Sequence, residues 1–174
     1  IDRLTEPSLR KVLSPKLRGS AVLARAIAQH PVDFLVLYSS LGSLLGQPGQ
    51  ASYAAANAFI DALAGQLRHR GVHTLAVNWG AWKELGLAQT EGARRTIEEL
   101  ERRGIRGFTA HEGTRALGWL LEGGAVTAAV APADWTRFVA VAARTRDHGW
   151  WMVRNRSATV LPSGRFRSCW SDLA

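Results

Sequence analysis

From about Ser8 to His30, apolar residues recur at helical spacing at Leu9, Val12, Leu13, Leu17, Ala21, Leu23, Ala24 and Ile27. The pattern predicts an amphipathic helix with one face on a core. Pro15 lies inside it and predicts either a kink or a fresh start. The run FLVLYSS at 34–40 is continuously apolar and of strand length, as expected for a strand covered on both faces. Residues 41–52 hold Gly42, Gly46, Pro48 and Gly49 and read as a loop. The stretch ASYAAANAFIDALAGQLRHRG is rich in helix formers, carries basic residues in its last turn and stops at Gly71, which predicts a helix of about 19 residues. HTLAVNW at 73–79 follows as a second strand.

Strand, helix, strand within some 45 residues is a crossover unit, and such units build parallel sheets with right-handed connections. The class is therefore α/β. Further on, 81–92 reads as a mobile segment, 93–103 as a short charged helix, 111–122 as another helix and AVTAAVAPADW at 125–135 as a third strand. After about Arg144 the periodicity fails, so 144–174 is expected to be a linker or irregular tail. No G-x-G-x-x-G stands between a strand and a helix, where a doubly wound nucleotide-binding fold carries its phosphate loop. Either this is a different fold or it is the second half of that one.

Composition changes this picture little. A chain of 174 residues, 47% hydrophobic and 21% charged, has a globular balance. There is no apolar run long enough for a membrane span and no secretory leader pattern, so no membrane partner is expected. The single cysteine, Cys169, excludes an internal disulfide and a cysteine metal cluster, which fits a cytoplasmic location. The net charge of +8 raises the question of nucleic acid. Half of the excess lies between Arg144 and Ala174, where six arginines face Asp147 and Asp172. With no recognised nucleic-acid module in view, no such partner is expected.

Four polar residues stand out against the apolar pattern. Tyr53 and Asn57, four apart, fall within about 40° of each other on a helix and about 6 Å apart along its axis. Ser40 closes the first strand, and ligands of open α/β sheets bind outside the carboxyl ends of strands. Lys16 is the one lysine of the stretch PKLRGSAVLARAIAQH. A hydroxyl, a phenol, an amide and an ammonium together suit carbonyl reduction. The alkoxide formed there must be protonated, and a phenol serves as a proton partner near neutrality when a cation stands beside it. The serine can hold the carbonyl oxygen, and the amide can order a water or backbone group behind the lysine. Singly, each residue also has a plain reading as a surface tyrosine, a turn serine or a solvated lysine.

The run VLYSSLGSLLGQPGQASYAAANAFIDALA, followed by VNWGAW, resembles the ketoreductase domains of modular polyketide synthases, members of the short-chain dehydrogenase/reductase superfamily. The resemblance covers about residues 1–138. In that family the catalytic serine stands thirteen places before the tyrosine, which selects Ser40 over Ser39. The asparagine four after the tyrosine is Asn57. The lysine lies on the preceding helix, in a context met here by Pro15, Lys16, Leu17, Arg18 and Gly19. Ordinary short-chain dehydrogenases place lysine where this chain has Asn57.

The resemblance implies a Rossmann-like doubly wound parallel sheet of which this chain holds the carboxyl-terminal half, without the phosphate-loop half, over residues 1–143. It implies NADPH as hydride donor and a β-ketoacyl thioester on an acyl carrier protein as substrate, with the other domains of the same synthase as partners. Tyr53 would donate the proton and Ser40 would orient the carbonyl. Lys16 would lower the phenol's pKa while bonding the nicotinamide ribose, and Asn57 would support Lys16. Asn78, Trp79 and Gly80 would line the nicotinamide side, plain strand-end packing being the other reading of Asn78, Trp79 and Trp82. Residues 81–103 would form a substrate lid. Leu45 stands where the class giving the opposite alcohol has tryptophan, which disfavours that class, and the presence of Tyr53 and Asn57 favours reduction over epimerisation alone. By itself the chain is expected to be inactive or poorly stable. The rival functions are a non-catalytic scaffold of this fold, or another superfamily enzyme such as a fatty-acid reductase.

Overall fold

Thr5 opens the first helix with a reciprocal cap. Its hydroxyl accepts from the Ser8 amide at 3.4 Å and its own N–H donates to Ser8 Oγ at 3.1 Å, so two amide donors that have no helical partner are satisfied. From there α1 runs Glu6–Gln29 in the computed structural model, which describes residues 4–46, 49–83 and 91–144. Pro15 lies inside α1 without ending it. The missing N–H removes one bond from the ladder, and the helix continues through it.

The elements that follow are β1 Leu35–Ser40, α2 Leu41–Leu45, α3 Ala51–His69, β2 Thr74–Trp79, α4 Glu91–Arg102, α5 Ala110–Glu122, β3 Thr127–Val130 and α6 Trp135–Arg144. The strands form one parallel sheet in the order β1-β2-β3. The expected α/β class is thus what the chain adopts, and it is part of the larger Rossmann-like fold. Contacts divide the chain into two units, the first ending at Asn78 and regaining Gly124–Ala128, the second holding Trp79–Gly123 and continuing from Ala129.

In the first unit α3 packs on both α1 and β1. Leu37, Ile60, Ala64 and Ala76 form its buried centre, with Leu35, Leu63 and Val126 against them. The strand β2 is buried along its whole length, as a strand with two covered faces should be. The same expectation fails for β1. Side chains alternate along a strand, so Leu37 and Ser39 are buried while Tyr38 between them stays 51% exposed. On α1, Leu23 belongs to the predicted apolar face yet lies exposed.

Two further expectations need correction. The segment 41–52 is not all loop: Ser40 caps the five-residue α2, which Gly46 ends with φ +63°, a conformation that glycine adopts without steric cost. The third strand is shorter than 125–135, covering only Thr127–Val130, and Asp134 starts a helix within the expected stretch. Its Oδ1 accepts from the Arg137 amide at 3.0 Å, the cap of α6. Of the expected mobile segment, 84–90 lie outside the described residues, as does the tail beyond Arg144.

The second unit is centred on three rings. Trp79 and Trp82 lie 4.9 Å apart, Trp82 and Phe108 4.8 Å, and Trp79 and Phe108 5.8 Å, all tilted. Gly113 on α5 lies against this cluster. A methyl there would overlap the Trp82 indole and stand 3.0 Å from the Phe108 ring. Overpacking costs about 1–3 kcal/mol, more than the gain of up to about 1 kcal/mol from alanine in a helix. Gly113→Ala in the full-length polypeptide should therefore lower this domain's calorimetric transition by several degrees. A transition that rises would contradict the packing.

Candidate active site at the carboxyl end of the first strand

Ser40 is the last residue of β1 and the cap of α2, and its Oγ accepts from the Gly42 amide at 3.1 Å. A Cβ on Gly42 would lie 3.4 Å from that Oγ and 3.9 Å from Cδ1 and Cε1 of Tyr53. The serine hydroxyl and the phenol ring therefore border one small space at the carboxyl end of β1. Both side chains are half-buried, which leaves them reachable. Ser39 is committed elsewhere: it is buried, donates to the Asn57 carbonyl at 3.3 Å and accepts from Asn78 Nδ2 at 3.0 Å.

Asn57 follows Tyr53 by one turn of α3 and is fully buried. Its Nδ2 donates to the Tyr53 carbonyl at 2.8 Å, which fixes the side chain along the helix. Its Oδ1 is buried with no hydrogen-bond partner among the described residues. A buried acceptor in that state is costly and marks a place where a donor belongs.

Lys16 reaches from α1 to β1. Its Nζ donates to the Tyr38 carbonyl at 2.7 Å, two residues before Ser40. Among the described residues it makes no hydrogen bond to Tyr53 or Asn57; the amide and the ammonium are each tied to a backbone carbonyl instead. Burial pushes the Lys16 ammonium below the ordinary lysine range, and the Asp61 carboxylate opposes that effect. Because the folded lysine then binds its proton less tightly than the unfolded one, stability rises with pH between the lowered value and 10.5.

Of the residues expected to line the nicotinamide side, Asn78 is a buried hub of the first unit. Its Nδ2 lies 2.9 Å from both Ser43 Oγ and Asp61 Oδ2. Trp79 and Gly80 fall in the second unit. Trp79 joins the ring cluster. At Gly80 a Cβ would meet the Val130 carbonyl and the Ala131 Cβ at 3.1 Å, so glycine lets the chain approach β3, where the Gly80 amide donates to Val130 O at 2.8 Å.

Sequence reasoning passes over Asp61 and Ser43. The carboxylate accepts from Ser43 Oγ at 2.9 Å, and Ser43 Oγ is also 2.8 Å from the Ser40 carbonyl. A signal for Asp61 exists, since Tyr53, Asn57 and Asp61 recur every four residues on one helix. Among the described residues no group of His, Cys, Asp and Glu could hold a metal, and no helix is long and apolar enough to cross a membrane.

Residues 1–84 match the KR domain family. The 6-methylsalicylic acid synthase of Aspergillus terreus is 45% identical over 112 residues, which are 64% of this chain and 6% of that protein. A solved structure of A-type ketoreductases from a modular polyketide synthase aligns with a TM-score of 0.73 at 33% identity, over 79% of this chain and 28% of that chain. A small-chain dehydrogenase solved in complex with NADPH shares the fold at 15% identity, with a TM-score of 0.64 over 76% of this chain and 66% of that chain. The chain thus spans a small part of the synthase and under a third of the ketoreductase that it matches. Residues 1–84 thus match the KR domain family, and the chain is similar in sequence and build to ketoreductases of polyketide synthases.

Proposed function

We propose that within its full-length polypeptide this chain carries the proton-handling part of an NADPH-dependent ketoreductase. The reaction reduces a β-ketoacyl thioester on an acyl carrier protein to the β-hydroxyacyl thioester during polyketide assembly, beside the other domains of the same synthase. The observation that carries this reading is the single space bordered by Ser40 Oγ and the Tyr53 ring, with a half-buried ammonium bonded to the same strand. One cysteine in 174 residues suits a reducing compartment, and on that ground we place the protein in the cytoplasm.

The residues fit a nicotinamide ribose. An ammonium has three N–H donors, and Lys16 spends one on the Tyr38 carbonyl, leaving two for ribose hydroxyls. NADPH, when bound, supplies the hydride that reduces the carbonyl carbon. Ser40 donates to the carbonyl oxygen as negative charge develops there. Tyr53 gives that oxygen its proton, and the Lys16 charge favours the phenolate left behind. Asn57 holds the first turn of α3, and so the base of the Tyr53 side chain, through its bond to the Tyr53 carbonyl. The contact of Asn78, Trp79 and Gly80 with the nicotinamide, and the part of 81–103 as substrate lid, rest on the family resemblance.

The test is an assay of the full-length polypeptide for oxidation of NADPH by a β-ketoacyl thioester. Turnover with NADPH, and a strong preference for it over NADH, is expected. A purified, folded protein that binds the thioester and never reduces it would support the scaffold reading instead.

A further inference from the structure

Tyr53 and Asn57 occupy the first turns of α3, and Asp61 stands one turn further on. Its carboxylate reaches two other elements. Oδ2 accepts from Ser43 Oγ on α2 at 2.9 Å and from Asn78 Nδ2 on β2 at 2.9 Å. Ser43 in turn lies 2.8 Å from the Ser40 carbonyl, and Asn78 lies 3.0 Å from Ser39 Oγ. One oxygen thus links the helix of the phenol to the turn of the serine hydroxyl and to the neighbouring strand.

Hydrogen-bond capacity shows how much depends on that oxygen. The Asn78 amide has two N–H donors and four acceptors within reach, Ser39 Oγ, the Ser40 carbonyl, Ser43 Oγ and Asp61 Oδ2. Ser43 has one O–H for two acceptors, the Ser40 carbonyl and Asp61. Asp61 Oδ1 and Asn78 Oδ1 are buried with no partner among the described residues. One carboxylate oxygen serves two donors while the other is buried without a partner among the described residues, a costly arrangement for a side chain that only fills space. The charge Asp61 brings acts on Lys16, against the effect of burial.

We propose that Asp61 is a positioning residue for carbonyl reduction. By binding Ser43 and Asn78 it holds the turn that carries Ser40 in register with the helix that carries Tyr53. The inference rests on the functional reading above. Asp61 itself touches neither substrate nor cofactor, and it acts through the groups that do. Small misplacements of reacting groups are expensive in rate, and a hydroxyl shared between a cap and a substrate oxygen tolerates little movement.

The experiment uses the full-length polypeptide, with wild-type turnover of a β-ketoacyl thioester as the control that separates failure of this inference from failure of the functional reading. Asp61→Asn keeps the shape and one acceptor oxygen and removes the charge. It should lower kcat at least about 10-fold while KM for the thioester and Kd for NADPH move less than about 3-fold and the domain's melting transition stays within a few degrees. Ser43→Ala cuts the same tether without touching the charge, and it should lower kcat by a smaller factor with the same binding. Combined, the two should lose less than the product of the single losses, because they act through one link. Unchanged kcat in both variants would overturn the proposal. A loss of kcat that follows lost NADPH binding and lost stability would also overturn it, since that is a purely structural role.

Discussion

Tyr53→Phe in the full-length polypeptide is expected to reduce β-ketoacyl thioester reduction by on the order of 10³-fold, within the range that a positioned proton donor contributes. The substitution deletes one oxygen and keeps the ring that borders Gly42, so packing around α2 is preserved. NADPH binding should weaken only slightly, because the Lys16 ammonium remains on the Tyr38 carbonyl with its two other donors free for the ribose. Steady-state turnover paired with fluorescence titration of NADPH reads both quantities. Near-normal turnover would remove the phenol from the mechanism, and a parallel collapse of cofactor binding would make its role structural.

The second large effect is expected at Lys16. Lys16→Met keeps the unbranched stem between α1 and β1 and removes the charge, and kcat should fall on the order of 10²-fold. Stability should change far less, because two effects oppose each other. The ammonium is held against a desolvation penalty that lowers its proton affinity, and methionine relieves it. The Tyr38 carbonyl meanwhile loses a donor, at about 1–3 kcal/mol if no water replaces it. A melting transition within a few degrees of wild type beside a collapse in rate is therefore the signature of a residue kept for chemistry. Equal rates in the two proteins would contradict the role given to the cation.

Much of this was legible in residue order because the signals were local and redundant. The helix α3 shows its formers, its basic last turn and Gly71, which indeed takes φ +86°, and β2 follows it as a short strand that is buried throughout. The errors arose where tertiary placement decides. FLVLYSS resembles TLAVNW in pattern, yet α3 covers one face of β1 and leaves Tyr38 half open. The helix α2 depends on a serine that ends a strand and caps a helix at once, and turn glycines mask that signal. For α6 the cap is Asp134, which lies inside the stretch 125–135 that reads as a strand.

At the site, Ser40, Tyr53, Asn57 and Lys16 could be picked out as chemistry-bearing types, but their partners could not. That Lys16 bonds the Tyr38 carbonyl and Asn57 the Tyr53 carbonyl depends on backbone groups, which are the same in every sequence. Asp61 and Ser43 escaped because an acidic residue on a helix and a serine among turn glycines are ordinary, and only folding brings them within 2.9 Å.

The claim on which the mechanism turns is that the α1 ammonium stands beside the α3 phenol while both face the cofactor. A crystal structure of the full-length domain with NADPH measures this directly. It should show Lys16 Nζ on the Tyr38 carbonyl and on a ribose hydroxyl, within about 6 Å of the Tyr53 oxygen, the reach over which a charge influences an acid. An ammonium turned to bulk solvent, with the phenol oxygen well beyond that distance, would contradict it.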